Sequence, residues 1–453
     1  MKAFSNLSKK RVLLFSLFIV PCSLFIASCL SPWEGDNGTL TISVGRNSGR
    51  AILPGGIDTA SLSYTITVKD SSGKTQSGTI QPGGGAASFS PLALGTCTIT
   101  AQGYGDNGKQ KTEGTASVVI KPGQNAATVI TGLIFNVPQD FTWLEAVNAI
   151  NTAGNGTAGD IKNYIINITG DGVTVVGGTA NTFTATYIKV SLRGPGRTVS
   201  LSGNGYLIRI GANQEVVLRD LTLQGHDSNN NAVVSVYTNS VFTMQSGTIS
   251  GNTSTIRGGG VEVNGGTFTM HGGEISGNTT TSDSGTYGGG GVVVAGSGTF
   301  IMQGGAISGN TATIQGGGVY VYSGILIMSG GEIKGNTASI GDGGGVHVDW
   351  YGTFTMYGGE IKGNTANSGG GVHVRDLANA TFRMVTGTIY GSDAGPGIAN
   401  TASLNNGAAL YKGTAGVAQR GTFDGDTWNG TDLIPSGSWR ENNTIRVRNG
   451  VLQ

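Results

Sequence analysis

The sequence predicts an all-β chain in which a small antiparallel β-sandwich precedes a solenoid of parallel coils that opens with one short helix. Three observations support this: runs of alternating polar and apolar residues before Pro138, a recurring Gly-Asn-Thr motif, and 81 glycines among 453 residues. Glycine does not recur at every third position, which excludes collagen. The net charge of +1 gives no basic excess, so we expect no nucleic-acid partner.

The first residues carry the features of an export signal. Cations at positions 9–11 precede the apolar stretch 12–26, and small residues follow it. The run 26–29, Ile-Ala-Ser-Cys, resembles the lipobox of bacterial lipoproteins. The resemblance implies cleavage before Cys29 and acylation of that cysteine.

This resemblance assigns residues 1–28 to a lipoprotein signal peptide and the polar residues 29–38 to a tether. Fatty acyl chains such as palmitate on Cys29 would make the membrane a partner, since each buried methylene contributes roughly 0.8 kcal/mol. We expect a lipid-anchored protein of the bacterial cell envelope, at the outer membrane, on its surface or its periplasmic face. The alternative is a transmembrane anchor over Val12–Leu30, which has 19 residues.

Residues 39–135 contain short alternating runs between turn-forming clusters, a pattern typical of antiparallel β-sandwiches. Such a module resembles the immunoglobulin-like or transthyretin-like domains of secreted bacterial proteins and would act as a spacer. Cys97 lies in one of these runs, which predicts a small buried hydrophobe rather than a nucleophile. The predicted strands are Leu40–Val44, Leu62–Val68, Cys97–Ala101, Ser117–Ile120 and Ala127–Ile130.

A short capping helix is predicted near the start of the second domain, residues 138–453. Thr142 and Glu145 have the spacing of a capping box, in which two side chains satisfy free backbone N–H groups at the start of a helix. Apolar residues follow at helical spacing as far as Ile150. We expect this helix to begin the solenoid.

The solenoid is predicted from internal repeats, which are clearest over residues 241–390. Gly-Asn-Thr recurs with asparagine at positions 252, 278, 310, 336 and 364, in steps of 26, 32, 26 and 28 residues. Periods in this range are typical of solenoids. Each unit contains three short strands and ends in Gly-Gly-Gly-Val-x-Val, so one repeat completes one coil and successive coils pair in parallel.

Alternation along these strands assigns the faces of each coil. The recurring asparagines are predicted to form an internal amide ladder, in which each side chain donates to the next coil. The Glu-Ile-Lys segments at 332–334 and 360–362 are predicted to form a solvated charge lattice. In one coil the predicted core residues are Val261, Val263, Phe268, Met270 and Ile275.

These repeats resemble those of right-handed parallel β-helix proteins, especially the pectin-lyase-like architecture and the polymorphic outer-membrane or autotransporter adhesins. Gly-Gly-Ala-Ile at 304–307 matches an adhesin string, whereas Ile307 stands where those repeats carry the phenylalanine of their Phe-x-x-Asn element. The resemblance implies a right-handed parallel β-helix and an adhesin-like role. It specifies the fold better than the function.

A candidate binding surface is predicted on the outer face of the Val-x-Val strands. The residue between the two inward valines should point out, and the second residue after it extends the same face. Aromatic rings with polar groups suit a glycan or a host or envelope protein. The alternatives are ordinary solvent-facing residues, or a metal held by His347, His373 and Asp349. The candidate residues are Tyr320, Tyr322, His347, Asp349, Trp350, Tyr351, His373 and Arg375.

The function expected from the sequence is a non-catalytic, adhesin-like or structural binding solenoid without a cofactor. The alternative is a polysaccharide-degrading lyase or glycoside hydrolase. A hydrolase would need two carboxylates about 5 to 9.5 Å apart. Charged residues make up only 12% of the chain, and the pair Asp424 and Asp426 lies in a sequence typical of a turn.

Overall fold

A computed structural model of the chain describes most of the region after residue 62 and short segments before it. Cys29, most of the tether and the predicted strand Ala127–Ile130 lie outside the described residues. No helix in the described part is long and apolar enough to cross a membrane. The described residues are 24–25, 37–44, 52–53, 57–58, 62–82, 85–104, 110–120, 133–137, 142–256, 258–282, 288–377, 379–403, 406–424, 426–433 and 440–453.

Small antiparallel sheets form the N-terminal region, as the alternation predicted. Cys97 is fully buried, and burial raises the pKa of its thiol, which agrees with a structural role. Leu24–Phe25, within the predicted signal peptide, pairs with the first long strand. One sheet contains Leu24–Phe25, Asn37–Val44 and Gly85–Ala93; another contains Thr75–Ile80, Ser63–Lys69, Gly95–Tyr104 and Gln110–Ile120; Ile52–Leu53 pairs with Ile57–Asp58.

The predicted helix spans Trp143–Thr152 and begins with the predicted capping box. The Glu145 N–H donates to the Thr142 hydroxyl at 3.3 Å, and the Thr142 N–H donates to the Glu145 carboxylate at 2.6 Å. The helix buries Trp143, Val147 and Ile150 against the solenoid core. A 3-10 turn follows at Thr179–Asn181.

Residues from about 162 to 389 form a parallel β-helix of the right-handed type with about 8 turns. Three sheets run along it: a long sheet, a valine sheet built from the Val-x-Val strands, and a threonine sheet of two-residue strands. The valine sheet contains Ile208–Ile210, Val234–Tyr237, Val261–Asn264, Val292–Ala295, Val319–Val321, Val346–Val348, Val372–Val374, Leu410–Lys412 and Arg440–Glu441. The threonine sheet contains Thr253–Ser254, Thr279–Thr280, Thr311–Ala312, Thr337–Ala338, Thr365–Ala366 and Thr401–Ala402.

The long sheet contributes two strands to most coils. It already includes residues before Pro138, because its first strand pairs in parallel with the strand after the helix. Its strands are Leu133–Val137, Lys162–Ile168, Val173–Val175, Ile188–Leu201, Gln214–Gln224, Val241–Met244, Thr248–Ser250, Thr267–Met270, Glu274–Ser276, Thr299–Met302, Ala306–Ser308, Ile325–Met328, Glu332–Lys334, Thr353–Met356, Glu360–Lys362, Thr381–Met384, Gly387–Ile389, Val417–Asp424, Thr427–Asp432, Ile445–Arg448 and Val451–Leu452.

Identical apolar residues stack from coil to coil in the core. Phe268 stacks on Phe242 and on Phe300, with ring centroids 5.1 and 4.6 Å apart. The predicted inward residues of this coil, including Met270 and Ile275, are fully buried. The sequence therefore assigned the core faces correctly.

The asparagine ladder is present from residue 278 to residue 400 and is fully buried. Asn252, which was predicted to belong to it, instead donates through Nδ2 to the carbonyls of Asn231 and Gly259. Asn278, Asn310, Asn336 and Asn364 each donate through Nδ2 to the Oδ1 of the next asparagine, at distances of 2.9 to 3.1 Å. Asn400 is the acceptor at the end of this series. In the same direction, the backbone N–H of each of these four asparagines also donates to the side-chain Oδ1 of the next asparagine.

The outer charge lattice is also confirmed. Glu332 lies beside Glu360, and Lys334 beside Lys362, in the parallel register. The Lys362 ammonium contacts the carboxylates of Glu332 and Glu360 at 2.6 and 2.7 Å. These partly exposed pairs neutralise the stacked like charges.

The C-terminal end differs from the coils before it, because antiparallel strands pair with the last parallel strands. Ile445–Arg448 runs antiparallel to Gly387–Ile389, and Val417–Asp424 forms a hairpin with Thr427–Asp432. Asp426 lies in the turn of this hairpin, as its sequence context predicted. The sequence analysis predicts a β-helix as far as residue 453, and it does not predict these antiparallel strands.

Candidate functional site

The valine sheet positions most of the predicted site. Val319 and Val321 are fully buried in the core, and Tyr320 lies on the opposite face of the strand. The parallel register places Tyr320 beside His347, then His347 beside His373. The pairing continues to Tyr411, which sequence analysis did not include, because its strand begins with Leu rather than Val.

These four side chains form a ring stack along the outer face of the valine sheet. The centroid of Tyr320 lies 5.6 Å from that of His347 in an edge-to-face contact. The two histidine rings stack at 4.5 Å, and His373 stacks on Tyr411 at 4.8 Å. Aromatic pairs favour offset or edge-to-face contacts of this kind.

The prediction that this column is exposed was wrong. Tyr320, His347 and His373 are 0, 1 and 6% exposed. The chain that enters each strand lies against the outer face: a Cβ atom on Gly343 would lie only 2.7 Å from the His347 Cβ. Gly343 also has a φ of +69°, so glycine is required there for conformation and for space.

Asp349 is the centre of a buried polar network that joins three coils. It is 0% exposed, and the Tyr320 hydroxyl donates to its Oδ2 at 2.8 Å. The Arg375 guanidinium donates to both carboxylate oxygens at 2.8 Å, and the Trp350 N–H donates to Oδ1 at 2.6 Å. These bonds compensate the burial of the charge. Asp349 raises the pKa of Arg375, whereas burial followed by the nearby carboxylate raises the pKa of Tyr320.

The surroundings of the two histidines favour their neutral form. Burial is the largest cause that lowers the pKa of each ring, and the positive charge of Arg375 lowers both further. Asp349 and Asp342 oppose this shift at His347, whose Nδ1 donates to the Asp342 carbonyl at 3.2 Å. Among the described residues, Nε2 of His347 and Nδ1 of His373 have no hydrogen-bond partner.

The metal alternative is not supported by this geometry. The described residues contain no group of three or more His, Cys, Asp or Glu side chains placed to hold a metal ion. His347 and His373 stack face to face instead of directing nitrogen lone pairs at one point. Asp349 is already bonded to Arg375 and Tyr320.

The solvent-accessible part of the predicted site is an aromatic corner made of Tyr322, Trp350, Tyr351 and Arg375. Trp350 and Tyr351 are 49 and 64% exposed, and their rings stack at 6.3 Å. Tyr351 has a φ of +55° in a turn closed by the Gly352 N–H, which donates to the Asp349 carbonyl. The corner is therefore attached directly to the buried Asp349 network.

No family model, no curated protein and no solved structure matches this chain. The β-helix fold supports many unrelated functions. The functional argument therefore comes from the residues and geometry described above.

Proposed function

We propose that this chain is a lipid-anchored protein of the bacterial cell envelope whose β-helix is a non-catalytic, adhesin-like binding element. The observation that carries the proposal is the aromatic corner. Trp350 and Tyr351 expose large ring surfaces, which combine apolar area with little loss of side-chain entropy on binding. The partly exposed Arg375 adds hydrogen-bond donors beside them.

The scaffold behind the corner supports a binding role. Asp349 fixes the Trp350 backbone and the Arg375 guanidinium at once, so the corner needs little ordering when a ligand arrives. Such preorganisation favours affinity. The matching ligands are a glycan or a protein of the host or envelope.

A polysaccharide-degrading enzyme is the alternative, favoured by the presence of tyrosine, histidine, aspartate and arginine in one cluster. A catalytic group must reach the proton that it transfers. Tyr320, His347 and Asp349 are at most 1% exposed, so they cannot contact a polysaccharide in this conformation. The geometry thus favours binding over catalysis.

The lipid anchor is proposed from the sequence: the cations at positions 9–11, the apolar stretch 12–26 and the Ile-Ala-Ser-Cys run at its end. Acylation at Cys29 would keep the chain at the membrane and leave residues 39–453 outside the bilayer. Protease treatment of intact cells would distinguish a surface location, where the chain is degraded, from a periplasmic location, where it is protected.

Binding is tested with the full mature chain against glycan arrays and envelope extracts. We expect a Trp350→Ala, Tyr351→Ala double variant to lose binding while its unfolding curve stays unchanged. Val176→Ala, at an apolar position that is 76% exposed in an early coil, is the control and should bind like wild type. Equal binding by the double variant would refute the corner as the site. Release of shortened chains from a polysaccharide would favour the enzyme.

A further inference from the structure

Two arginines lie side by side on the outer face of the long sheet, near the N-terminal end of the β-helix. Arg193 belongs to the strand Ile188–Leu201 and Arg219 to the strand Gln214–Gln224, and the parallel register pairs the two residues directly. Arg193 is half-buried and Arg219 is exposed, whereas the residue before each arginine is fully buried in the core. We call these two residues the arginine pair.

The arginine pair places two like charges on adjacent strands, which are about 4.8 Å apart. Like charges directly opposite each other destabilise a sheet. In the charge lattice this repulsion is compensated, because Lys362 contacts both Glu332 and Glu360. The arginine pair has no such compensation. In the described part of the chain, neither guanidinium donates a hydrogen bond or lies within ion-pair distance of a carboxylate.

Two other cations near the pair differ from it, because carboxylates neutralise them. The Lys189 ammonium contacts the Glu215 carboxylate at 2.7 Å, four residues before the arginines on the same face. Arg197, further along the first strand, forms an ion pair with Asp171. These two carboxylates are therefore already engaged and do not compensate the arginine pair.

Asp220 follows Arg219 directly, but its carboxylate is bonded toward the next coil. Its Oδ1 accepts from the Ser246 hydroxyl at 2.7 Å, and its N–H donates to the same hydroxyl at 3.0 Å. Ser246 belongs to the coil after Arg219, whereas Arg193 belongs to the coil before it. Two arginines against this one carboxylate leave a net positive charge.

The strand that carries Arg193 bulges directly after it. The register shifts between Arg193 and Arg197, and the three residues between them stand opposite a single residue of the partner strand. The second and third of these residues, Pro195 and Gly196, are exposed. Bulges are frequent beside functional sites, where they redirect side chains. Arg193 therefore stands at an irregular, solvent-exposed edge rather than within a continuous strand.

We infer that the arginine pair binds a doubly charged phosphate group, either inorganic phosphate or the monoester of a lipid headgroup. A guanidinium presents a planar fork of N–H donors that matches two oxygens of a phosphate or a carboxylate. A carboxylate has only two oxygens and one charge, which one guanidinium satisfies. A phosphate monoester carries about 1.5 to 2 negative charges at pH 7 and three acceptor oxygens, so it can bind and neutralise both arginines.

The test is isothermal titration calorimetry of the full mature chain in an uncharged detergent, with inorganic phosphate, soluble dibutyryl phosphatidate and acetate as ligands. Wild type should bind both phosphates more tightly than acetate, and added salt should weaken this binding. The phosphate that binds more tightly identifies the source, the free anion or the lipid headgroup. Arg219→Gln should reduce the affinity for phosphate about tenfold, because charge-assisted hydrogen bonds are lost, and Arg219→Lys should retain part of it.

Lys334→Gln is the matched control, since it removes one cation from the same sheet about 19 Å away along the β-helix and should bind phosphate like wild type. A second readout separates binding from a structural role. Phosphate should raise the urea midpoint of wild type and leave that of an Arg193→Gln, Arg219→Gln variant unchanged.

The inference goes beyond the proposed function, because it concerns a different site from the aromatic corner. The Trp350→Ala, Tyr351→Ala variant should therefore bind phosphate like wild type, whether or not the corner binds its own ligand. Equal affinity of wild type for phosphate and acetate, or equal affinity of wild type and folded Arg219→Gln for phosphate, would overturn the inference and leave the corner unaffected.

Discussion

Replacement of Asn336 by leucine tests the amide ladder at its centre. The Asn336 side chain is fully buried and makes four hydrogen bonds. Its Nδ2 donates to the Ile307 carbonyl at 2.9 Å and to Asn364 at 3.0 Å. Its Oδ1 accepts from the backbone N–H and the side chain of Asn310, both at 3.0 Å. Leucine is similar in shape but cannot make any of these bonds.

The expected loss follows from which groups remain satisfied. The Asn310 N–H loses the acceptor described for it, which costs about 1–3 kcal/mol for a buried group. The Asn310 amide keeps its bond to the Ile275 carbonyl, and Asn364 Oδ1 keeps the bond from the Asn336 N–H. These groups, with the Ile307 carbonyl, lose one bond each, at about 0.5–1.5 kcal/mol. These contributions add to a loss of about 2.5–7.5 kcal/mol, a large part of an ordinary folding free energy.

Urea unfolding followed by circular dichroism measures this loss. Asn367→Leu is the control, since Asn367 is exposed and its side chain makes two described bonds: it donates to the Ile340 carbonyl at 2.8 Å and accepts from the Ser403 hydroxyl at 3.2 Å. The control should lose about 1 kcal/mol or less. If Asn336→Leu unfolds at the same urea concentration as the control, the ladder does not contribute as argued.

Three further predictions concern the histidines, Asp349 and the anchor. Burial lowers the folded-state pKa of His347 and His373, so the unfolded chain binds protons first as the pH falls. Stability should therefore drop as the pH falls below about 6.5. A His347→Phe, His373→Phe variant should lose this part of the pH dependence in unfolding titrations. Asp349→Asn should cost about 1–3 kcal/mol in urea unfolding, because the bond pattern to Tyr320 and Arg375 is broken; an unchanged midpoint would contradict the network. Mass spectrometry of the membrane fraction should find an acylated peptide that begins at Cys29, and a peptide spanning residues 20–35 would contradict it.

The repeated parts of the fold could be predicted because each coil provides an independent copy of the same information. Valines two residues apart, recurring Phe-x-Met strands and an asparagine in every unit identified the core and the ladder. Asn400 was missed because alanine replaces the glycine before it and the step from Asn364 is 36 residues. The antiparallel end was missed for a similar reason, since residues 417–452 carry no repeat.

Burial of the predicted site could not be predicted in the same way. Alternation states which face of a strand carries Tyr320 and His347, but it does not state what covers that face. The cover depends on the path of the preceding loop, where Asp342 and Gly343 approach the rings. The contacts among Tyr357, Phe423 and Trp428 were also missed, because the hairpin brings these rings together.

The ladder and the aromatic corner depend on the same alignment of coils. Tyr320 lies in the strand Val319–Val321, and Asp349 and Arg375 directly follow the next two strands of the valine sheet. Along the chain, each of these three strands comes after a ladder asparagine, namely Asn310, Asn336 and Asn364. A shift of one coil against the next would break the amide bonds on one side and the carboxylate bonds on the other. Because a buried carboxylate without its partners is strongly unfavourable, the network penalises other alignments of these coils. The internal polar groups thus fix the position of Trp350 and Tyr351, and a ligand at the corner gains from order that the fold already contains.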